Sequence, residues 1–238
     1  MNARPRETAV SISAGEVVLE GALELPAQPA GVVVFSHGSG SGRFSPRNRF
    51  VAAELHRRAL GTLLLDLLTE AEDRDYERRF DIDLLTQRLG YAVGFVRGHP
   101  ATKTLPVGLF GASTGAASAL RVAAAMPKDV GAVVSRGGRP DLTGAGALGQ
   151  VRAPTLLIVG ALDGPVIGMN RQAADRMQNE HRIEIVPGAT HLFEEPGKLE
   201  KVAHLARDWF QQHLVAAERE QPAARSRKAG ILPARAPR

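Results

Sequence analysis

Residues 106–120 read PVGLFGASTGAASAL and place one serine, Ser113, between two glycines. The apolar run Val107–Phe110 is typical of a buried strand, and the small residues from Ala116 onward are typical of a closely packed helix. A sharp strand-to-helix turn leaves no room for side chains beside the serine, which accounts for the flanking glycines. The stretch therefore predicts a strand, a strained turn at Ser113 and a helix.

The turn itself, Gly111-Ala112-Ser113-Thr114-Gly115, matches the G-x-S-x-G pattern of a nucleophile elbow. A serine at the start of a helix can also act only as its N-cap, so two interpretations are open at this point. Three fixed positions in five residues are a weak signal in a chain with 25 glycines. The order of strands, helices and other polar residues along the chain must decide whether Ser113 is a nucleophile or only an N-cap.

Strands and helices alternate along the chain. Residues 8–26 predict an N-terminal β-hairpin, and the charge-dense residues 71–80 predict a surface loop or a short helix. Buried strands are predicted at GVVVFSHG, GTLLLDLL, LPVGLFGA, VGAVVSRGG, APTLLIVGALDG and HRIEIVPGATH, and helices at 46–59, 81–98, 114–125, 165–179 and 199–214. The first helix is expected to carry Phe50, Val51, Leu55 and Ala59 on one side. This order predicts an α/β fold, a mainly parallel sheet with helices on both faces.

Functional side chains of parallel sheets collect beyond the carboxyl ends of the strands. Ser113, Asp163 and His191 each follow a different predicted strand, in the chain order serine, acid, histidine. Each interval leaves room for the strand and helix needed to reach the next strand end. We therefore predict a catalytic triad in which Ser113 is the nucleophile, His191 the base and Asp163 the group that orients His191.

Each assignment has a plainer alternative. Asp163 can be the N-cap of the helix that follows it, and His191 can be a loop histidine that only packs locally. Asp66 and Asp141 are the rival acids, and Asp66 also follows a buried strand. His37 precedes a glycine after a strand, where we expect it to support the loop rather than transfer protons.

The oxyanion hole is predicted to use the backbone N–H groups of Thr114 and Ser39, with Gly40 a close alternative to Ser39. Arg43, Arg47 and Arg136 fall in loops at the same predicted edge of the sheet. They are candidates for binding a carboxylate or phosphate on the substrate, the alternative being that they are solvated loop cations.

Composition narrows the classes of function. The chain has 238 residues, no cysteine and a net charge of +5. Without cysteine there is no disulfide, thiolate metal site or cysteine nucleophile. Residues 1–7 and 218–238 carry the whole excess of positive charge, so it gives no reason to expect nucleic acid as a partner. We predict one domain over 8–217, a disordered N-terminus at 1–7 and a disordered basic tail at 218–238.

Targeting and cofactor motifs are not apparent. No run has the length of a membrane span or the apolar core of a signal peptide, so we expect a cytoplasmic protein with no membrane partner. The sequence has no H-E-x-x-H, and GSGSG lacks the other residues of a phosphate-binding loop, so neither a metal nor a cofactor is expected. The oligomeric state is left open.

The stretches VVVFSHGSGSGRFSPRN, GLFGASTGA, LLIVGALDGPV and VPGATHLFEEPG resemble the α/β-hydrolase fold, and within it the dienelactone hydrolase-like branch. The resemblance covers residues 8–215 and implies a small hydrolase without a large cap domain. The enzyme that gives the branch its name uses a cysteine nucleophile, so its lactone specificity does not carry over to Ser113. VVSRGGRPDLTG is also similar to uncharacterised relatives, some of which are fused to phosphoribosyltransferase domains that this sequence does not include.

These observations predict a cofactor-independent serine hydrolase that cleaves small esters, thioesters or lactones through an acyl-enzyme on Ser113. An acyltransferase with the same triad is one alternative. A binding protein that keeps the fold without the activity is another.

Overall fold

The computed structural model describes residues 4–215 and contains an eight-stranded sheet in the order β1-β2-β4-β3-β5-β6-β7-β8. The strands are β1 (Arg6–Ala14), β2 (Val17–Leu25), β3 (Gly31–Ser36), β4 (Leu60–Leu65), β5 (Val107–Ala112), β6 (Val130–Arg136), β7 (Thr155–Gly160) and β8 (His181–Val186). The hairpin β1–β2 is antiparallel and joins β4 in antiparallel fashion, whereas β3 to β8 run parallel. The predicted sheet and hairpin are confirmed.

The helices are α1 (Pro46–His56), α2 (Glu70–Asp73), α3 (Ile82–Gly98), α4 (Thr114–Ala125), α5 (Ala145–Gln150), α6 (Gly164–Ala174) and α7 (Lys198–Phe210). Short 3-10 turns lie at Arg78–Phe80 and Pro140–Thr143, and a π-helical turn at Gln211–Val215 extends α7. The five long helices were predicted. The sequence analysis missed α5, because the glycines around it are typical of a loop.

Two helices are shorter than predicted. α6 ends at Ala174 rather than 179. α1 ends at His56, and Ala59 then takes a positive φ of 58° to turn the chain into β4. Phe50 is 41% exposed while Val51 and Leu55 are buried, so Phe50 does not share their buried environment as the predicted common side implies.

The sheet separates two apolar layers. α3, α4 and α6 cover one face, and α1 and α7 cover the other. Neighbouring residues of the central strand β5 point to opposite layers, Leu109 to the first and Phe110 to the second. Because both faces are covered, these strands read as continuous apolar runs rather than alternating ones.

The carboxyl ends of the parallel strands meet at one edge of the sheet, and the connections there are short. Residues 66–81 hold only α2 and a 3-10 turn, and residues 137–154 hold a second 3-10 turn and α5. Within residues 4–215 no cap domain is inserted at this edge, as the sequence predicted.

The ends of the predicted domain need one correction. The expected disordered N-terminus at 1–7 is wrong for Arg6 and Glu7, which pair with Leu25 and Glu24 in the hairpin. The predicted tail at 218–238 lies outside the described residues. None of the helices within residues 4–215 is long and apolar enough to cross a membrane.

Candidate active site

Ser113 lies at the joint of β5 and α4 with a φ of 52°. Non-glycine residues rarely adopt a positive φ, and such strain is concentrated at functional turns. The two flanking glycines allow it. A Cβ on Gly111 would lie 2.5 Å from Ala116 Cα, and a Cβ on Gly115 would collide with the Ser36 carbonyl oxygen. The Ser113 hydroxyl makes no capping bond to α4, so the N-cap interpretation is not supported.

Asp163 and His191 form a hydrogen-bonded pair with Nδ1 of the ring 2.7 Å from Oδ2 of the carboxylate. The Asp163 side chain is 13% exposed and the His191 side chain 37%. Because the carboxylate accepts, Nδ1 carries the proton and Nε2 is left as an acceptor. The ring makes no other hydrogen bond within residues 4–215. Asp163 makes no capping bond to α6, so its side chain serves His191 instead.

The end of β6 connects Ser113 to this pair. The Ser113 N–H donates to the carbonyl oxygen of Arg136 over 3.2 Å. The next residue, Gly137, lies against the ring of His191, whose Nδ1 would be 3.4 Å from a Cβ at that position. Three strand ends therefore carry the serine, the histidine and the acid at the same edge of the sheet, although no hydrogen bond joins Ser113 to His191 within residues 4–215.

Two residues that the sequence analysis did not single out hold the histidine loop. Phe193 is fully buried with a φ of 57°, which anchors the chain just after His191. Gly160 lets β7 approach that loop, because a Cβ there would lie 2.6 Å from the Thr190 carbonyl oxygen. A lone phenylalanine and a strand-end glycine occur at many places in a globular protein, so neither signal was specific.

The turn after β3 packs directly against the elbow. A Cβ on Gly38 would lie 3.0 Å from Ser113 Cβ, and Gly40 has a φ of 67°. The Ser39 N–H donates to Oγ1 of Thr114 over 3.1 Å. One of the two predicted oxyanion donors is therefore already hydrogen-bonded in the free protein.

His37 fixes the position of this turn. Its buried ring joins two groups: Nδ1 donates to the Gly38 carbonyl oxygen over 3.0 Å, and Nε2 accepts from the Leu67 N–H over 2.9 Å. Burial lowers the pKa of His37 below its ordinary value, which favours the neutral ring that these two bonds require. The prediction that His37 supports its loop is confirmed.

The three candidate arginines differ in their partners. Arg43 pairs with Asp66, and Arg47 pairs with Glu194. Arg136 is only 7% exposed, and its Nε and Nη1 have no hydrogen-bond partner within residues 4–215. Burial, with the nearby charge of Arg47, lowers the pKa of Arg136 to about 10. Arg136 thus carries a buried charge that no carboxylate of the described chain neutralises.

The rival acids are occupied elsewhere. Asp66 accepts hydrogen bonds from the backbone and side chain of Arg43, and Asp141 pairs with Arg139. Neither bonds to His191. Within residues 4–215 no three histidine or carboxylate side chains come together as a group of metal ligands.

A cavity of about 700 Å³ lies beside the turn after β3. Charged and hydroxyl side chains dominate its wall, and its apolar contribution comes from Val18, Phe44, Pro46 and Leu68. Ser113 and His191 do not line it. Its wall includes His37 and Gly40, so the cavity borders the turn that packs against Ser113.

Comparison with known proteins agrees with this fold. The model of the dienelactone hydrolase family matches residues 69–218. A crystal structure of a dienelactone hydrolase from Anabaena variabilis is 53% identical, covers 89% of this chain and 100% of its own, and has a TM-score of 0.86. Est1E from Butyrivibrio proteoclasticus shares the fold at 14% identity, with a TM-score of 0.74 over 86% of this chain and 98% of its own.

Curated relatives from two strains of Mycobacterium tuberculosis are 54% identical over 210 residues and carry the provisional name phosphoribosyl transferase. The match covers 88% of this chain and 47% of each relative. The chain therefore spans about half the length of the curated relatives it matches, and their name describes proteins about twice as long.

The sheet order, the strained elbow and the acid–histidine pair are those of the α/β-hydrolase fold. More narrowly, the chain belongs to the dienelactone hydrolase family.

Proposed function

We propose that the protein is a serine hydrolase that cleaves small carboxylic esters through an acyl-enzyme on Ser113. The observation that carries the proposal is the combination of a strained, partly exposed Ser113 with the 2.7 Å Asp163–His191 pair, joined through the end of β6. Such an arrangement activates a serine that would otherwise be a weak nucleophile.

The proposed steps follow from the protonation of this pair. Nε2 of His191 takes the proton of Ser113 as the serine oxygen attacks the ester carbonyl carbon. The carbonyl electron pair moves onto oxygen, and the Thr114 N–H stabilises that oxyanion. When the bond to the alcohol breaks, His191 returns the proton to the leaving oxygen. Water then repeats the sequence on the acyl-enzyme, and Asp163 stabilises the imidazolium in both halves.

Substrate size is expected to be small, because no cap is inserted at this edge of the sheet within residues 4–215 and the adjacent cavity has few apolar walls. Each buried CH₂ contributes up to about 0.8 kcal/mol, and a long acyl chain would leave most of its CH₂ groups in water here. We expect p-nitrophenyl acetate and butyrate to be hydrolysed with higher kcat/KM than p-nitrophenyl palmitate. The kcat/KM values for a thioester and a lactone, measured beside these esters, show which of the three linkages the enzyme cleaves best. A preference for palmitate would contradict the open site.

We also propose that Arg136 binds an anionic group of the substrate. A buried guanidinium without a counter-ion is costly, and a fold can retain such a cost where function requires it. Arg43 and Arg47 are paired with carboxylates, so their part in binding is secondary. The backbone of Arg136 adjoins the site, since its carbonyl oxygen accepts from the Ser113 N–H.

The variant R136M separates function from stability. Burial lowers the pKa of Arg136 to about 10, so the folded protein disfavours the charged form and this charge opposes folding. We therefore expect R136M to melt at a higher temperature than the wild type. On a succinate half-ester we expect kcat/KM to fall about 10–100-fold, the value of one charge-assisted hydrogen bond, with little change on the neutral butyrate ester.

The charge-conserving variant R136K is the matched control and is expected to keep part of the preference for the half-ester. Added salt should weaken that preference in the wild type. If R136M lowered kcat/KM equally on the charged and the neutral ester, Arg136 would not be the group that binds the anionic part of the substrate.

The two alternatives to a hydrolase are a binding protein without activity and an acyltransferase, and each has its own test. A fluorophosphonate probe reacts only with an activated serine, so an unlabelled wild-type protein would indicate a binding protein that keeps only the fold. An added alcohol that captures the acyl group in preference to water would indicate an acyltransferase.

A further inference from the structure

Thr114 brings two polar hydrogens to the position next to the nucleophile. Its backbone N–H follows Ser113, and its side-chain Oγ1 accepts from the Ser39 N–H over 3.1 Å. The hydroxyl proton of Thr114 is donated to no acceptor within residues 4–215. A hydroxyl that accepts one hydrogen bond can still donate one, so this proton is available to a ligand.

The position of Oγ1 limits where an oxyanion can bind. The Thr114 and Ser39 N–H groups are the two donors expected to converge on it. Oγ1 lies within hydrogen-bond distance of the second of these, so it occupies or borders the same space. When a substrate carbonyl arrives, either Oγ1 moves away and releases the Ser39 N–H, or Oγ1 stays and donates its own proton.

The packing of Thr114 favours the case in which Oγ1 stays in place and donates its own proton. Thr114 is 2% exposed, at the first position of α4. A side chain that is packed on all sides has little free volume in which to turn to another χ1 rotamer. The bond from Ser39 also polarises the hydroxyl, which makes it a stronger donor.

We propose that the Thr114 hydroxyl is a catalytic hydrogen-bond donor to the oxyanion, and that the Ser39 N–H acts through it rather than on the oxyanion directly. This rests on the proposed serine hydrolase function. In the step concerned, Ser113 Oγ bonds to the carbonyl carbon, the π electron pair moves to oxygen, and the serine proton passes to His191 Nε2. Thr114 donates two hydrogen bonds to that oxygen, one from N–H and one from O–H, and gives up neither proton.

The test compares T114V, which keeps the shape and removes the hydroxyl, with T114S, which keeps the hydroxyl. We expect T114V to lower kcat on p-nitrophenyl butyrate by about 10²-fold, the effect of one oxyanion donor, with KM nearly unchanged. T114S should stay within a few-fold of the wild type. Melting temperatures of both variants check that the fold is intact.

A boronic acid that mimics the tetrahedral intermediate gives a second readout. Its affinity for T114V should fall by the same factor as kcat/KM, whereas a merely structural role would lower the melting temperature without this match. Unchanged or faster turnover in T114V would overturn the proposal. Such a result would mean that the Thr114 hydroxyl moves away when the substrate binds and leaves the Ser39 N–H to contact the oxyanion. Equal losses in T114V and T114S would overturn it too. If the wild-type protein neither cleaves esters nor reacts with a fluorophosphonate, the result contradicts the proposed serine hydrolase function rather than the role of Thr114 alone.

Discussion

The variant S113A is expected to lose ester turnover almost completely, with a fall in kcat on the order of 10⁵–10⁶. The proposed reaction requires an oxygen nucleophile at this turn, and alanine offers none. What remains should be the small rate that oxyanion stabilisation and substrate binding supply to attack by water. The hydroxyl makes no capping bond to α4, so its removal should leave the fold and the melting temperature unchanged.

Steady-state kinetics on p-nitrophenyl butyrate measure this loss, and circular dichroism checks the fold. A fluorophosphonate should add its mass to the peptide that contains Ser113 in the wild type and add nothing to S113A. The matched control is S39A, whose exposed hydroxyl lies on the adjacent turn while its backbone N–H is retained. We expect S39A to be nearly as active as the wild type. More than a few per cent of activity left in S113A would mean that another group is the nucleophile.

The variant D163N is expected to lower kcat by about 10³–10⁴ at neutral pH. Asp163 accepts from Nδ1 of His191 and thereby keeps Nε2 free for the serine proton. An asparagine can present its NH₂ to the ring, which then carries its proton on Nε2 and cannot act as the base. The asparagine also removes the charge that stabilises the imidazolium, so both effects act in the same direction.

The rate of labelling by a fluorophosphonate should fall in D163N together with kcat, because the probe reads the reactivity of Ser113. D66N is the informative comparison, since Asp66 also follows a buried strand but binds Arg43. We expect a far smaller effect from D66N. If D66N lost the larger part of the activity, Asp66 rather than Asp163 would be the acid.

Much of the fold followed from patterns that depend on near neighbours in the chain. A strand buried on both faces must be apolar throughout, and a helix must repeat its apolar residues every three or four positions. The boundaries of α4 were therefore predictable to the residue. Helix α1 was not, because its end depends on the positive φ at Ala59, for which the sequence carries no signal.

The sequence by itself determined which residues can form the site. Gly111 and Gly115 permit the strained turn at Ser113, and parallel strands must bring their carboxyl ends to one edge, so Asp163 and His191 could be named in advance as candidate partners of Ser113. It could not determine the partners of side chains far apart in the chain, because those depend on how loops pack across strands.

Only the tertiary structure decided that Arg43 and Arg47 pair with Asp66 and Glu194, while Arg136 is buried with no counter-ion among residues 4–215. Three arginines look alike in a sequence, and burial and pairing alone distinguish a solvated cation from a binding group. The same holds for the Thr114 hydroxyl. Its bond to the Ser39 N–H joins residues 75 positions apart, and nothing in either local sequence specifies it.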